Sequence, residues 1–170
     1  RRADMDGKVL LVDDSKCTGC LLCSIACSIR HTADIALDRA HVKVWCTSDE
    51  RFVPLTCHHC EVASCVLACP TKACHRDEAT QRVLIDERKC IGCEACVVGC
   101  PFGHAHFDHV ARISVKCDYC DGDPECVRVC EAGAIVYVDA DETAVARRHE
   151  TPLARAEARR RGIKTDDPRR

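Results

Sequence analysis

Apolar and polar positions alternate along this chain in short bursts, with no long periodic run. Val9-Leu10-Leu11-Val12 is about the longest aliphatic stretch. Brief alternation predicts brief strands. They fall at residues 8–13, 42–45, 52–55, 73–76, 82–86, 104–107, 112–115 and 134–138, with a turn at 77–81. Helical spacing is confined to residues 24–30 and 62–68, about two turns each at most. No apolar run approaches the roughly 18 residues that a membrane helix needs. Beyond residue 140 the pattern changes to a segment rich in Ala, Arg and Glu, which Pro152 splits and in which residues 153–161 read as a helix.

Elements this short cannot build a large apolar core, and composition agrees. The chain has 170 residues, and its 46% hydrophobic content includes 18 cysteines. Its aromatic residues are one Trp, two Tyr and three Phe. So thin a core needs staples: disulfides, metals or clusters. The net charge is −2, and residues 141–170 hold nine Lys or Arg against six Asp or Glu, so the tail is basic and the remainder acidic. There is no basic stripe of the nucleic-acid-binding kind. The start, Arg1 to Asp6, has two arginines and no apolar stretch after them, which is not a secretion signal as it stands. The expected compartment is therefore the reducing cytoplasm, where thiols read as metal ligands unless a partner carries an export signal.

Sixteen of the 18 cysteines fall into four repeats. They are Cys17-x2-Cys20-x2-Cys23-x3-Cys27, Cys57-x2-Cys60-x4-Cys65-x3-Cys69-Pro70, Cys90-x2-Cys93-x2-Cys96-x3-Cys100-Pro101 and Cys117-x2-Cys120-x5-Cys126-x3-Cys130. The third matches the bacterial ferredoxin run for a [4Fe–4S] cluster, and the first differs only in Ser28 standing where Pro usually does. A cubane offers four iron corners to four thiolates. Closely spaced cysteines wrap a tight loop around one face, aiming N–H groups at sulfur, and Gly19 and Gly92 ease that turn. The fourth cysteine is expected to open a short helix, face away and ligate a neighbouring cluster, so repeats work in pairs. Structural zinc takes two separated Cys-x2-Cys pairs and does not account for a third and fourth cysteine in step four times over. No Cys-x2-Cys-His is present for covalent haem. Spacing alone leaves two pairings open: one with four and two with three, or one with two and three with four.

Residues 8–140 resemble the four-cluster ferredoxin-type electron-transfer subunits of molybdenum and tungsten oxidoreductases, carbon monoxide dehydrogenases and hydrogenases. The likeness rests on Lys116-Cys117-Asp118-Tyr119-Cys120 with Gly122, Pro124, Cys126 and Ala132-Gly133-Ala134-Ile135, and on Cys90-Ile91-Gly92-Cys93 and Cys100-Pro101-Phe102-Gly103. Cys27-Ser28-Ile29-Arg30-His31 followed by Val42-Lys43-Val44 is similar to the small iron–sulfur subunits of tungsten-dependent aldehyde oxidoreductases. Glu131 departs from the family, which often has Pro there, but Pro is not a ligand. The resemblance implies an α+β fold: two nested bacterial-ferredoxin-like modules with short strands and short helices around four [4Fe–4S] clusters. It implies an outer module of residues 8–30 plus 110–140, an inner module of 42–109, and a basic tail of 141–170. It further implies ligand sets Cys17, Cys20, Cys23 with Cys130; Cys117, Cys120, Cys126 with Cys27; Cys57, Cys60, Cys65 with Cys100; and Cys90, Cys93, Cys96 with Cys69.

A compact chain of this length has a radius of gyration of about 15 Å, so four clusters would lie on the order of 10 Å apart. Such an array moves single electrons. The chain shows no Gly-x-Gly-x-x-Gly, Walker loop or nucleophile elbow, so it is expected to have no catalytic residue of its own. It would relay electrons between a catalytic subunit and ferredoxin or a flavin subunit serving NAD. By resemblance the catalytic partner is a tungstopterin aldehyde oxidoreductase. The same wiring role for a carbon monoxide dehydrogenase, hydrogenase or formate dehydrogenase, a free polyferredoxin shuttle, and a zinc-bound interaction module are the competing readings. Self-stacking of copies would extend the array.

The remaining candidates read blandly. Cys46 and Cys74 are expected to be small buried hydrophobes. His58 and His59 are expected to be surface histidines or hydrogen-bond donors to a cluster. His104, His106 and His109 are expected to be exposed on a hairpin, and Trp45 to be a core or interface residue. Residues 141–170 read as a solvated tail or as an arm that docks on a partner.

Overall fold

The computed structural model describes residues 7–48 and 50–140. The tail at 141–170 lies outside the described residues. Eight short strands pair into four separate two-stranded antiparallel ribbons, interleaved with four helices.

Strand β1 (Lys8–Val12) is closed by the last strand, β8 (Ile135–Asp139), with Leu10 opposite Tyr137 and Val12 opposite Ile135. The two ends of the cysteine-bearing chain thus meet. Strands β2 (Lys43–Cys46) and β3 (Phe52–Leu55) form the second ribbon, β4 (Cys74–Arg76) and β5 (Val83–Ile85) the third, and β6 (Ala105–Asp108) and β7 (Ile113–Lys116) the fourth. Two-stranded ribbons are marginal in water and persist only when one face is covered. Here the cover comes from cysteine loops and short helices.

Helix α1 (Leu22–Thr32) is longer than its hydrophobic spacing predicts, and it contains both Cys23 and Cys27. It ends at Ala33 in the left-handed region, whose N–H bonds the Ile29 carbonyl at 3.0 Å. This is the αL stop that usually calls for glycine. Helix α2 (Ser64–Leu67) begins two residues later than expected. Helices α3 (Ala95–Val98) and α4 (Glu125–Arg128) have one turn each and were not evident from periodicity, because four residues cannot express a 3.6-residue period. In repeats two to four the third cysteine sits inside the helix and the fourth lies just past its end, so the fourth cysteine does not open the helix.

Helix α1 packs on α4 and α2 packs on α3. Cysteines make up about half of both cores. The larger joins Leu10, Ala40, Val42, Tyr119 and Ile135 to Cys23, Cys27, Cys57, Cys117 and Cys126, and the smaller joins Ala63 and Val83 to Cys74 and Cys96. Cys57, from the second repeat, sits in the same core as β1 and β8, so the first and last repeats interlock with the middle of the chain.

Candidate metal centres

All four cysteine loops solve one backbone problem. The residue just before the second cysteine is left-handed in each: Gly19 (φ +73°), His59 (φ +47°), Gly92 (φ +69°) and Tyr119 (φ +63°). This conformation lets a tight loop aim several N–H groups inward. At Gly19 a side chain would run into Phe52, 2.5 Å away. At Gly92 it would meet the Arg112 carbonyl at 2.7 Å. His59 and Tyr119 accept the strain because their rings are anchored. His59 is buried and its Nδ1 accepts the Val83 N–H at 3.0 Å. Tyr119 is wholly buried, its ring 4.2 Å from that of His59, and its hydroxyl donates to the Cys57 carbonyl at 3.3 Å.

The sixteen repeat cysteines come together as four sets. Cys17 and Cys23 are electrostatic neighbours of each other and of Cys130, with Cys20 beside Cys17. Cys126 faces Cys27 and Cys120, with Cys117 beside it. Cys57, Cys60, Cys65 and Cys100 line one cavity of about 400 Å³, flanked by His58, Phe102, His104 and Lys116. Cys69, Cys90, Cys93 and Cys96 line a second, smaller cleft with Cys74 and Ser114. None of the 18 cysteines is paired in a disulfide.

The fourth cysteine of every repeat accepts a backbone N–H on its sulfur. The donors are His41 to Cys27 at 3.2 Å, Cys74 to Cys69 at 3.3 Å, His104 to Cys100 at 3.3 Å and Ala134 to Cys130 at 3.2 Å. Amides aimed at sulfur stabilise the thiolate that a metal requires. Burial acts the other way. It pushes the Cys23 and Cys27 thiols up to about 11, and raises Cys117 and Cys126 further. In these two sets burial therefore opposes the thiolate that a metal requires, whereas the Cys65 and Cys69 thiols of the other two sets are shifted down by their hydrogen bonds.

The donor sets fit a multi-iron core better than a single ion. A tetrahedral zinc with Zn–S near 2.3 Å draws its sulfurs to about 3.8 Å from one another. Among the described residues, the set of three His, Cys, Asp or Glu ligand atoms that lies within 4.8 Å is His31, His41 and Asp118, and no cysteine set closes that far. Sulfurs facing one another across a wider gap suit a cubane placed between them.

Several side chains around the sets depart from the sequence expectation. Cys46 is exposed at the end of β2. Cys74 is buried as expected, but its thiol contacts the Cys65 sulfur as a hydrogen-bond donor and lowers the Cys65 pKa, which alternation alone could not reveal. Trp45 is exposed, which overturns the core half of its core-or-interface expectation. His104, just before β6, is buried and His106 within it is half-buried, while His109 is exposed as expected; burial pushes His106 down to about 4. His31 and His41 stack at 3.9 Å beside Cys120, with His31 Nε2 at 3.8 Å from the Cys120 sulfur. Neither was singled out by sequence as a site residue, since they come together only through the fold.

Lys116 was also not singled out. It ends β7 and is buried at 5% exposure in the wall of the Cys57–Cys60–Cys65–Cys100 cavity. Its Nζ donates to the Val83 carbonyl and to the Cys57 sulfur. Desolvation works against the ammonium, but Cys57, Cys65 and Cys74 outweigh it, so its pKa stands above the ordinary lysine value.

No helix among the described residues is long and apolar enough to cross a membrane. A family model described as a 4Fe-4S dicluster domain matches residues 48–140. The chain is 40% identical over 125 residues to the aliphatic sulfonate oxidoreductase polyferredoxin-like subunit of Pyrococcus furiosus, covering 73% of this chain and 72% of that one. It is 33% identical over 153 residues to the thiosulfate reductase electron transfer subunit PhsB of Salmonella typhi, covering 82% of this chain and 79% of that one. It is 39% identical over 117 residues to a tetrathionate reductase subunit of Archaeoglobus fulgidus, covering 68% of this chain and 56% of that one.

Proposed function

Because this chain belongs to the 4Fe-4S dicluster domain family, we propose that it is the electron-transfer subunit of an oxidoreductase complex, holding four clusters on sixteen of its cysteines. Bound iron–sulfur centres supply reversible one-electron reduction. In this reading Cys17, Cys20, Cys23 and Cys130 hold the first centre, and Cys117, Cys120, Cys126 and Cys27 the second. Cys57, Cys60, Cys65 and Cys100 hold the third, and Cys90, Cys93, Cys96 and Cys69 the fourth.

The observation that carries the reading is the facing of the fourth cysteine of each repeat toward the loop of another repeat, as Cys130 faces Cys17 and Cys23. The sets also form a series. Cys126 neighbours Cys23, Cys117 neighbours Cys57, and Cys74 touches Cys65 while neighbouring Cys96. The terminal sets open to the surface at Cys20 and Cys93. A buried series with an opening at each end supports a relay between two partners, a catalytic subunit at one end and ferredoxin or a flavin subunit at the other.

For the catalytic partner the favoured reading is a cytoplasmic tungstopterin aldehyde oxidoreductase. It is supported by the resemblance that segments 27–31 and 42–44 carry; in the fold the two meet where the Val42 amide bonds the Cys27 sulfur. The Ser24 hydroxyl bonds the Val42 carbonyl at 3.1 Å, and the His41 amide bonds Cys27. The names of two relatives support a second reading, a thiosulfate or tetrathionate reductase partner.

Anaerobic affinity purification from native cells tests both levels. The expected result is sixteen irons with matching acid-labile sulfide per chain, and a tungsten-containing partner that oxidises aldehydes to an artificial one-electron acceptor. Tungsten-free material reducing thiosulfate or tetrathionate would select the second partner. A colourless zinc protein would end the electron-transfer reading altogether.

A further inference from the structure

Lys116 is a buried cation whose negative neighbours are sulfurs. It projects from the end of β7 toward β5, and β5 packs against β7, so two ribbons hold its position. Its Nζ donates to the Val83 carbonyl and to the Cys57 sulfur, and Cys65 and Cys74 are further sulfur neighbours. Its hydrogen-bond and charge partners among the described residues are the Val83 carbonyl and cysteine sulfurs, and none of these is a carboxylate. Lys8, Lys16, Lys72 and Lys89 are exposed and Lys43 is half-buried. An ammonium taken out of water without a counter-charge is expensive, and a hydrogen bond to a carbonyl does not replace the lost hydration. A multi-iron core on four thiolates carries net negative charge, and reduction adds one more. The cavity that Lys116 lines is where that charge would reside.

We infer that Lys116 sets the reduction potential of the centre held by Cys57, Cys60, Cys65 and Cys100, its fixed positive charge favouring the reduced form of that centre over the oxidised form. Lys116 is a positioning and electrostatic residue; it is not a ligand. The inference rests on the proposed assignment of those four cysteines. In a partly dry cavity a full charge acts strongly on an added electron. The third place in the series of cysteine sets then becomes a relative well for electrons between the two ends.

The test uses the full chain in its native complex with wild type, K116Q, K116M and K116R. K116Q keeps a donor for the Val83 carbonyl and removes the charge, K116M removes both, and K116R keeps the charge. Potentiometric titration at fixed pH, followed by low-temperature EPR, reads each centre's midpoint. K116Q and K116M should shift one centre at least tenfold toward its oxidised form, about 59 mV for a one-electron couple. The other three centres should stay in place, and K116R should resemble wild type. The centre that shifts must be the one whose EPR signal changes in C60S. Full iron content with all four midpoints unchanged in K116Q overturns the inference, as does a shift in a centre that C60S leaves untouched. If K116Q loses only the C60S-sensitive centre, K116R decides: retention of that centre at its wild-type midpoint supports a role for the charge, and its loss there too overturns the inference. If it loses all four, Lys116 is a scaffold residue and the inference falls. Fewer than four centres in the wild type would refute the ligand assignment instead, independently of the Lys116 result.

Discussion

Gly92→Ala should destabilise the protein far more than a matched glycine substitution made under the same backbone strain. Gly92 (φ +69°) and Gly103 (φ +67°) share the left-handed conformation. An alanine there costs about 1–2 kcal/mol at either position. The difference lies in what the new methyl meets. At Gly103 it enters open space. At Gly92 it lands 2.7 Å from the Arg112 carbonyl oxygen and 3.2 Å from the Phe107 ring. The ring can swing, but the carbonyl cannot. Arg112 is itself left-handed (φ +60°) in the turn between β6 and β7, and its N–H is tied to the Asp108 carbonyl at 2.8 Å. Overpacking against a pinned group adds about 1–3 kcal/mol. Gly103→Ala should therefore cost about 1–2 kcal/mol and Gly92→Ala about 2–5 kcal/mol. For a chain of this size each kcal/mol lowers the melting temperature by about 3 °C. Anaerobic thermal scans of the iron-loaded proteins, at one heating rate and read by far-UV dichroism and visible absorbance, should place Gly92→Ala about 5 °C below Gly103→Ala. Equal melting temperatures would refute the reasoning, because the loop would then have room that the structure denies it.

Arg39→Ala should strand the Asp108 carboxylate, which accepts the Arg39 Nε at 2.8 Å and is 4% exposed, at a cost of about 3 kcal/mol in denaturant unfolding; a loss under 1 kcal/mol would contradict a buried pair. The same carboxylate predicts an acid dependence. Desolvation would raise its pKa, but the Ala111 and Val110 amides and the Arg39 guanidinium outweigh it and lower the pKa below the ordinary value of 3.8. Its stabilisation is therefore fully present above that value and is lost as pH falls through the lowered pKa, so Asp108→Asn should flatten the acid limb of a stability–pH curve. Tyr119→Phe removes a hydroxyl that donates to the Cys57 carbonyl and should cost about 1 kcal/mol, whereas Tyr119→Ala empties the middle of the larger core and should cost at least about 3 kcal/mol. Cys46→Ser and Cys74→Ser should both retain sixteen irons by chemical analysis; loss of four irons in either would overturn the assignment of the remaining cysteines.

What could be read from residues alone follows from chemistry local in the chain. The spacing of sixteen cysteines names a metal because three or four thiolates within a dozen residues have few other uses. The strands at 8–13, 52–55 and 134–138 were legible because each is a short continuous apolar run of four or five residues, too brief for a helix and rich in β-branched or aromatic side chains. Helices α3 and α4 were not, since a single turn contains less than two repeats of its own period. His104 and His106 were misjudged as exposed, whereas His109 is exposed as expected, because alternation tells which residues share a face and not which face is covered. Lys116 entered the sequence reading only as part of the family-like stretch Lys116-Cys117-Asp118-Tyr119-Cys120, and nothing nearby in sequence marks it as buried.

The amino-acid order by itself determined the chemistry of this protein: four sets of thiols at cluster-binding spacing and a core too thin to stand without them. The tertiary structure alone decided which thiols meet. Closure of β1 on β8 brings Cys130 back to Cys17 and Cys23 across more than a hundred residues, and contact of β5 with β7 carries an ammonium into the wall of one cavity and no other among those described. The reason is physical. Coordination preference is a property of side chains a few residues apart, whereas the field at a metal centre depends on charges and dipoles that only folding brings within reach.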